Sequence, residues 1–155
     1  MDKLSSLVGR QSFNARIFYN GTFCDGNRFL ADGMSGQLHL VRSGTVDFVH
    51  DDGGTVCITE PSLLFYPRGD NHTLQVRPGH SANLLCAHIT FQDGLNNPLT
   101  RVLPSCLVIP LSEIDGLRST LDLLFDEAGK DGPGSDMIVD RLCDVLMIQV
   151  IRREF

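Results

Sequence analysis

The residues with chemical potential in this chain gather around the stretch "LLFYPRGDNHTLQV", where Pro67-x-Gly69-x-x-His72 sits between two β-rich runs. Proline fixes one φ and glycine supplies a flexible turn, so the turn determines where the His72 imidazole points as the next strand begins. His39 stands two residues after Gln37, and Cys86 two residues before His88, so each pair shares one face of a strand. Two thiolates and two imidazoles, from Cys24, His39, His72 and Cys86, are a donor set suited to a tetrahedral Zn site. Four protein ligands leave no open position, so such a site would be structural or sensory rather than catalytic. The alternative is plain: a strand cysteine is a small buried hydrophobe and a strand histidine an ordinary hydrogen-bonded residue. No Cys-x2-Cys signature separates the two readings.

For an organic ligand, the expected contacts are Gln37, Phe48, Tyr66, His72 and His88, a few polar groups against apolar walls. Core packing alone is the other reading of Phe48 and Tyr66, and a register slip of one residue would turn every one of these side chains to the opposite face. The triplet Arg68-Gly69-Asp70 would need extracellular display to act in adhesion, and no export signal accompanies it.

The elements that must position these groups follow from the hydrophobic period. Before residue 111, "ARIFY", "QLHLVR", "TVDFVH", "TVCI", "SLLFY", "HTLQV" and "ANLLCAHITF" are short runs bounded by Gly, Asn, Asp and Pro, the pattern of many antiparallel strands. Asp51-Asp52-Gly53-Gly54 predicts a tight hairpin, and Gly44 a second turn. Strands spaced this closely build a sandwich, jelly roll or small barrel. After residue 111 the period becomes helical. Ser112 with Asp115 predicts a helix start, Ile114, Leu117, Leu121, Leu124, Phe125 and Ala128 give its buried face, and Gly129 ends it. Ser135 opens a second predicted helix running to the end of the chain, whose apolar residues wrap more than one face. That helix is either sandwiched in the core or meets a partner subunit through Leu142, Val145 and Ile148. The expected division is a barrel over residues 1–111 and a helical segment over residues 112–155.

Bulk properties narrow the function. The 155 residues suit a single domain, and a 42% hydrophobic, 21% charged composition is that of a globular chain. With a net charge of −6 and 13 scattered Lys and Arg, this segment lacks the clustered cations that phosphate binding requires. The opening "MDKLSSLVGRQSF" has no apolar core of a signal peptide, and five cysteines are odd in number and widely spaced. A cytoplasmic protein with reduced thiols is expected.

The segment "PRGDNH" resembles the second motif of the cupin family, Gly-x5-Pro-x-Gly-x2-His-x3-Asn: Pro67, Gly69 and His72 match, while Pro61 and Val76 replace the outer Gly and Asn. Gly44 fits the Gly that ends the first cupin motif. Gln37 then occupies the acidic ligand position, and Ala31 and Gly33 stand where two histidines are usual. Three of the four usual metal ligands are absent, which the resemblance turns from catalysis toward binding; a cupin-fold metalloenzyme with a nonstandard metal site is the alternative. More broadly, "MDKLSSLV", Cys24-Asp25, "LHLVRSG", "PSLLFYPRGDNH", "LLCAHITF" and the Leu-rich tail are similar, in order, to the N-terminal sensing domain of AraC-type transcriptional regulators. That resemblance implies a mainly β, cupin-like jelly-roll barrel followed by two C-terminal helices. It further implies a small-molecule effector in the barrel, a homodimer formed by the helices, and contact with DNA only through a helix-turn-helix module downstream.

Overall fold

The structure, a computed structural model, describes residues 13–114 and 116–154. Among these residues nine strands form two antiparallel sheets packed face to face. The larger sheet has the order β1-β8-β3-β6-β9, built from β1 (Phe13–Phe23), β8 (Ala82–Phe91), β3 (Ser35–Gly44), β6 (Ser62–Tyr66) and β9 (Leu107–Pro110). The smaller has the order β2-β7-β4-β5, from β2 (Asn27–Phe29), β7 (His72–Gln75), β4 (Val46–His50) and β5 (Thr55–Ile58). Three helices follow the strands or interrupt them late: α1 (Pro98–Val102), α2 (Arg118–Ala128) and α3 (Ser135–Glu154). This is the mainly β jelly roll with trailing helices that the sequence predicts.

The larger sheet is covered on both faces, which is why β3, β6 and β8 read as nearly continuous apolar runs rather than as alternating ones. Leu38, Leu40, Leu63, Phe65, Leu85, Ala87 and Ile89 point outward and form one core with Leu121 and Leu124 of α2 and Val139, Leu146, Met147 and Val150 of α3. The alternate residues Val41, Leu64, Tyr66, Leu84 and Cys86 point inward and pack with Phe29, Phe48 and Leu74 of the smaller sheet. One sheet therefore joins a barrel interior to a helical layer.

β1 belongs to both. A bulge between Ile17 and Tyr19 shifts its register against β8. Because one extra residue reverses the side-chain phase, Phe13, Ala15 and Ile17 pack with the helical core while Tyr19 and Phe23 pack with the barrel core. β1 is an edge strand, and its outward N–H groups would lack partners but for α3: Ala15 N–H donates to Asp144 Oδ1 (2.6 Å) and Ile17 N–H to Asp140 Oδ1 (2.9 Å). The spacing of four on the helix matches the spacing of two on the strand.

The turns behave as their residues require. Gly44 has φ +90°, and a Cβ there would stand 2.0 Å from the Ser81 carbonyl oxygen, so only glycine carries the chain across from one sheet to the other. The tetrad from Asp51 to Gly54 closes the β4–β5 hairpin, with His50 N–H bonded to the Gly54 carbonyl at 2.7 Å. The helix start needs correction. Ser112 lies in a 3-10 turn over residues 111–113, Asp115 falls outside the described residues, and α2 begins only at Arg118. Gly116, at φ +83°, separates turn from helix, and the N-cap Leu117 makes no side-chain capping bond. Gly129 does end α2, its N–H bonding the carbonyls of Phe125 and Asp126. Ser135 opens α3, and its hydroxyl donates to Glu127 Oε1 (3.0 Å) while accepting from Gly132 N–H (3.2 Å), tying the loop to α2.

Candidate functional site

The turn that the sequence singles out is held tightly against β3. Gly69 has φ +64°, its N–H bonds the Tyr66 carbonyl at 3.0 Å, and a Cβ would lie 2.5 Å from the Ser35 carbonyl oxygen. Arg68 is turned outward, donating to the carbonyls of Thr100 and Leu103 at 2.6 and 2.9 Å and so anchoring α1. Asn71 Oδ1 accepts from Ala31 N–H at 2.7 Å, and His72 is directed into the barrel.

Strand register then sets two polar rows on the inner face of the larger sheet. Gln37 lies opposite His88 on one side and Tyr66 on the other; one step deeper, His39 lies opposite Cys86 and Leu64. From the smaller sheet, His72 faces Phe29 and His50 in register. The expected ligand residues Gln37, Phe48, Tyr66, His72 and His88 thus all belong to strands bounding one chamber. Phe48 and Tyr66 are fully buried within it, and Gln37 is 4% exposed.

At the centre is a chain of three buried groups whose protons can be placed. His72 Nδ1 lies 2.7 Å from the Asp70 carbonyl oxygen, which can only accept, so Nδ1 carries the proton. Burial lowers the pKa of His72 from 6.5 to about 4, so the ring is neutral near pH 7 and Nε2 is an acceptor. His39 Nε2, at 2.8 Å, therefore donates to it. His39 is itself pushed well below its ordinary value by burial, with His72 and His88 adding to the effect, so its Nδ1 accepts from the Cys86 thiol at 3.0 Å. Burial pushes that thiol up to about 12, which keeps the proton on sulfur. Every group in the chain is satisfied and none is charged. Tyr66 stacks on His72 at 3.9 Å and 2°, and Phe29 lies parallel to the same ring at 5.3 Å and 12°.

This arrangement does not fit the four-ligand zinc site. His72 and Cys86 bond opposite nitrogens of the His39 ring, so the thiol and the second imidazole cannot converge with His39 on one ion. The two Nε2 atoms, 2.8 Å apart, are also closer than the separation of about 3.3 Å that tetrahedral Zn–N bonds of about 2.0 Å impose. Cys24 is exposed beyond the end of β1, whose last residue pairs with Ala82, four residues and roughly 13 Å along β8 from Cys86. Among the described residues no group of three or more His, Cys, Asp or Glu side chains could hold a metal ion.

Sequence reasoning missed the outer part of the site. His50 alternates with Val46 and Phe48 along β4, which is the signal that puts it on the inner face, and its Nε2 lies 2.8 Å from Tyr66 Oη. With Asp51, Asp52, Asp70, Asn71, Ala31, Ser105 and Cys106 these two residues line a cavity of about 360 Å³ at the barrel mouth. Burial raises the pKa of the Tyr66 phenol, and pushes the Cys106 thiol up to about 11, so both remain protonated donors near pH 7. Among the described residues two buried inner-face atoms, Gln37 Oε1 and His88 Nδ1, have no hydrogen-bond partner. Phe18, the bulge residue of β1, stacks on His88 at 4.3 Å.

The predicted dimer residues all lie on α3. Val145 and Ile148 are 44% and 36% exposed, in line with exposed Ile138, whereas Leu142 is half-buried against the helical core. Among the described residues no helix is long and apolar enough to cross a membrane.

Comparison with known proteins agrees with the fold. The sequence has no match among curated proteins. Two solved structures of ToxT from Vibrio cholerae align with TM-scores of 0.50: an apo form, 13% identical over 92% of this chain, and a form bound to (E)-4-(8-methylnaphthalen-1-yl)but-3-enoic acid, 11% identical over 90%. Those alignments cover 56% and 55% of the ToxT chains, so this chain spans just over half the length of the proteins it matches. At that identity the likeness is one of fold. The sequence model of the Cupin family matches residues 2–155, almost every position described above, and the chain belongs to the cupin family.

Proposed function

We propose that the chain is the effector-sensing and dimerisation domain of an AraC-type transcription regulator, with the effector entering the barrel mouth and α3 of one subunit meeting α3 of a second. The observation that carries the reading is β1. Its bulge residue, Phe18, touches the barrel chamber through His88, and the N–H groups of Ile17 and Ala15, one and three residues before it, are gripped by Asp140 and Asp144 of α3. A ligand acts at a distance only by favouring one arrangement over another, and a strand shared between chamber and helix is an element on which such a preference can act. The apolar flank of α3, Ile138, Val145 and Ile148, supports a partner subunit as its cover. DNA contact would belong to a following helix-turn-helix module, because the chain carries a net charge of −6.

The alternative, a metalloenzyme, requires several fixed ligands around an open position. The ring nitrogens of His39 and His72 are already engaged in neutral hydrogen bonds, which favours binding over catalysis. Sedimentation of the wild type and of Val145→Asp tests the dimer directly: the wild type sediments as a dimer, and the variant as a folded monomer. A monomeric wild type at tens of micromolar contradicts the proposal.

A further inference from the structure

The chamber holds a demand that the protein itself does not meet. Gln37 is more than nine-tenths buried, and its amide nitrogen is directed to the Leu30 carbonyl at 3.4 Å. A carbonyl only accepts, so the nitrogen must point there and Oε1 away from it, where it has no donor among the described residues. In register beside it on β8 stands His88, whose buried Nδ1 also lacks a partner among the described residues. Directly paired residues hold their Cβ atoms about 5 Å apart on one face, which lets a single polar group serve both orphan atoms. Buried polar atoms of this kind cost free energy until something bonds them.

What surrounds the pair separates a ligand from a water. Phe18 stacks on His88 at 4.3 Å and is 40% exposed; Leu30 and Met34, on the loop whose carbonyl takes the Gln37 amide, are 61% and 65% exposed. The other exposed large apolar side chains among the described residues lie on α1, α2, α3 and β9, so these three are a group of their own beside two polar atoms. A few polar atoms within an apolar surround is the pattern of a small-molecule site, and a water would leave that surround uncovered. Ala31 of the same loop lines the mouth cavity, so the site borders the mouth. It is also neutral. Asp32 commits its carboxylate within the loop, accepting from the N–H groups of Met34 and Ser35 at 2.8 Å each and from the Ser35 hydroxyl at 2.6 Å. Arg16, in register with His88 on β1, lines the groove between β1 and α3. A carboxylate ligand would set acceptor against acceptor at Gln37, and an ammonium would lose its water without a free carboxylate in return. A hydroxyl fits both atoms: it donates to Gln37 Oε1 and accepts from Nδ1–H of His88 in the tautomer that carries the proton there.

We infer that the effector is a small neutral alcohol, its hydroxyl bridging Gln37 Oε1 and His88 Nδ1 and its apolar body covered by Phe18, Leu30 and Met34. That this ligand is the effector rests on the sensing reading; the site does not. Such a ligand lies against the bulge of β1, the strand that α3 grips. NMR titration of the isotope-labelled full chain with n-hexanol, hexanoate and hexylamine, which share one alkyl chain and differ in head group, tests this. n-Hexanol saturably shifts the Gln37 side-chain amide and the His88 ring, and the other two bind at least tenfold more weakly. Gln37→Leu weakens n-hexanol at least fivefold; should that variant fail to fold, Leu30→Ser, on an exposed residue, weakens it severalfold and decides. No saturable shift means that a water alone fills the place and overturns the inference. Shifts confined to the exposed flank of α3, unchanged binding in the variants, or hexanoate or hexylamine bound as tightly as n-hexanol overturn it equally. None of these outcomes touches the sensing reading, which fails separately if the wild type is monomeric.

Discussion

Lowering the pH from 7 to 5 gives the unfolded chain a proton at His72 that the folded protein does not take up. The unfolded pKa is 6.5 and the folded value about 4, so the unfolded state binds more protons throughout that window and stability falls as pH falls. Integrating the two titrations from pH 7 to pH 5 gives a loss of about 2 kcal/mol from His72 alone, approaching roughly 3 kcal/mol by pH 4. His39, shifted in the same direction by burial, adds to it. The pKa values of Asp32 and Asp51 are lowered, so their contribution is lost only as pH falls into and below the ordinary carboxylate range, whereas Asp144, raised by burial, takes up its proton first in the folded state and works against the loss. Urea denaturation at pH 7, 6 and 5 measures the effect, and His72→Phe, which removes the titrating group at some cost in baseline stability, should flatten most of the slope. Equal stability of the wild type at pH 7 and pH 5 would refute the buried neutral histidine pair, and with it the proton placement along His72, His39 and Cys86.

Two further outcomes rest on single contacts. Asp140→Ala and Asp144→Ala each leave a partly buried β1 N–H without its acceptor, at a cost of about 1–2 kcal/mol in chemical denaturation, and the Ala15 and Ile17 amides should lose protection from hydrogen exchange. Gly44→Ala, which drives a Cβ into the Ser81 carbonyl at positive φ, should cost at least about 2 kcal/mol, whereas Gly53→Ala, at φ +94° in open space, costs only about 1 kcal/mol of backbone strain.

Much of the fold was legible because hydrophobic period and turn residues are local. The runs "QLHLVR", "SLLFY" and "ANLLCAHITF" fall within β3, β6 and β8, and the change of period at residue 111 separates the last strand from α2 and α3. The pairing of Gln37 with His39, and of Cys86 with His88, on shared faces also follows from period two. What failed required tertiary knowledge. The Ser112–Asp115 spacing imitates a helix start, but Gly116 at positive φ interrupts it, and α2 is fixed by packing of Leu117, Leu121 and Leu124 rather than by a cap. The helix α1 had a readable signal, Asn97 before Pro98, and Asn97 Oδ1 does accept from Leu99 N–H at 2.9 Å. The bulge at Phe18 has no such signal, yet it sets which half of β1 faces the barrel. Cys24 was grouped with His39, His72 and Cys86 by residue type alone, and the distance along β8 separates it from them.

The central claim is that β1 links the barrel chamber to a dimerising α3. The dimer dissociation constant of the wild type and of Phe18→Ala, measured by sedimentation equilibrium, tests it most directly, because Phe18, at the mid-strand bulge, contacts the barrel chamber and lies on a different element from Val145 and Ile148. The account predicts a wild-type dimer whose dissociation constant rises at least severalfold in Phe18→Ala while the variant stays folded. A monomeric wild type, or identical constants for the two proteins, would contradict it.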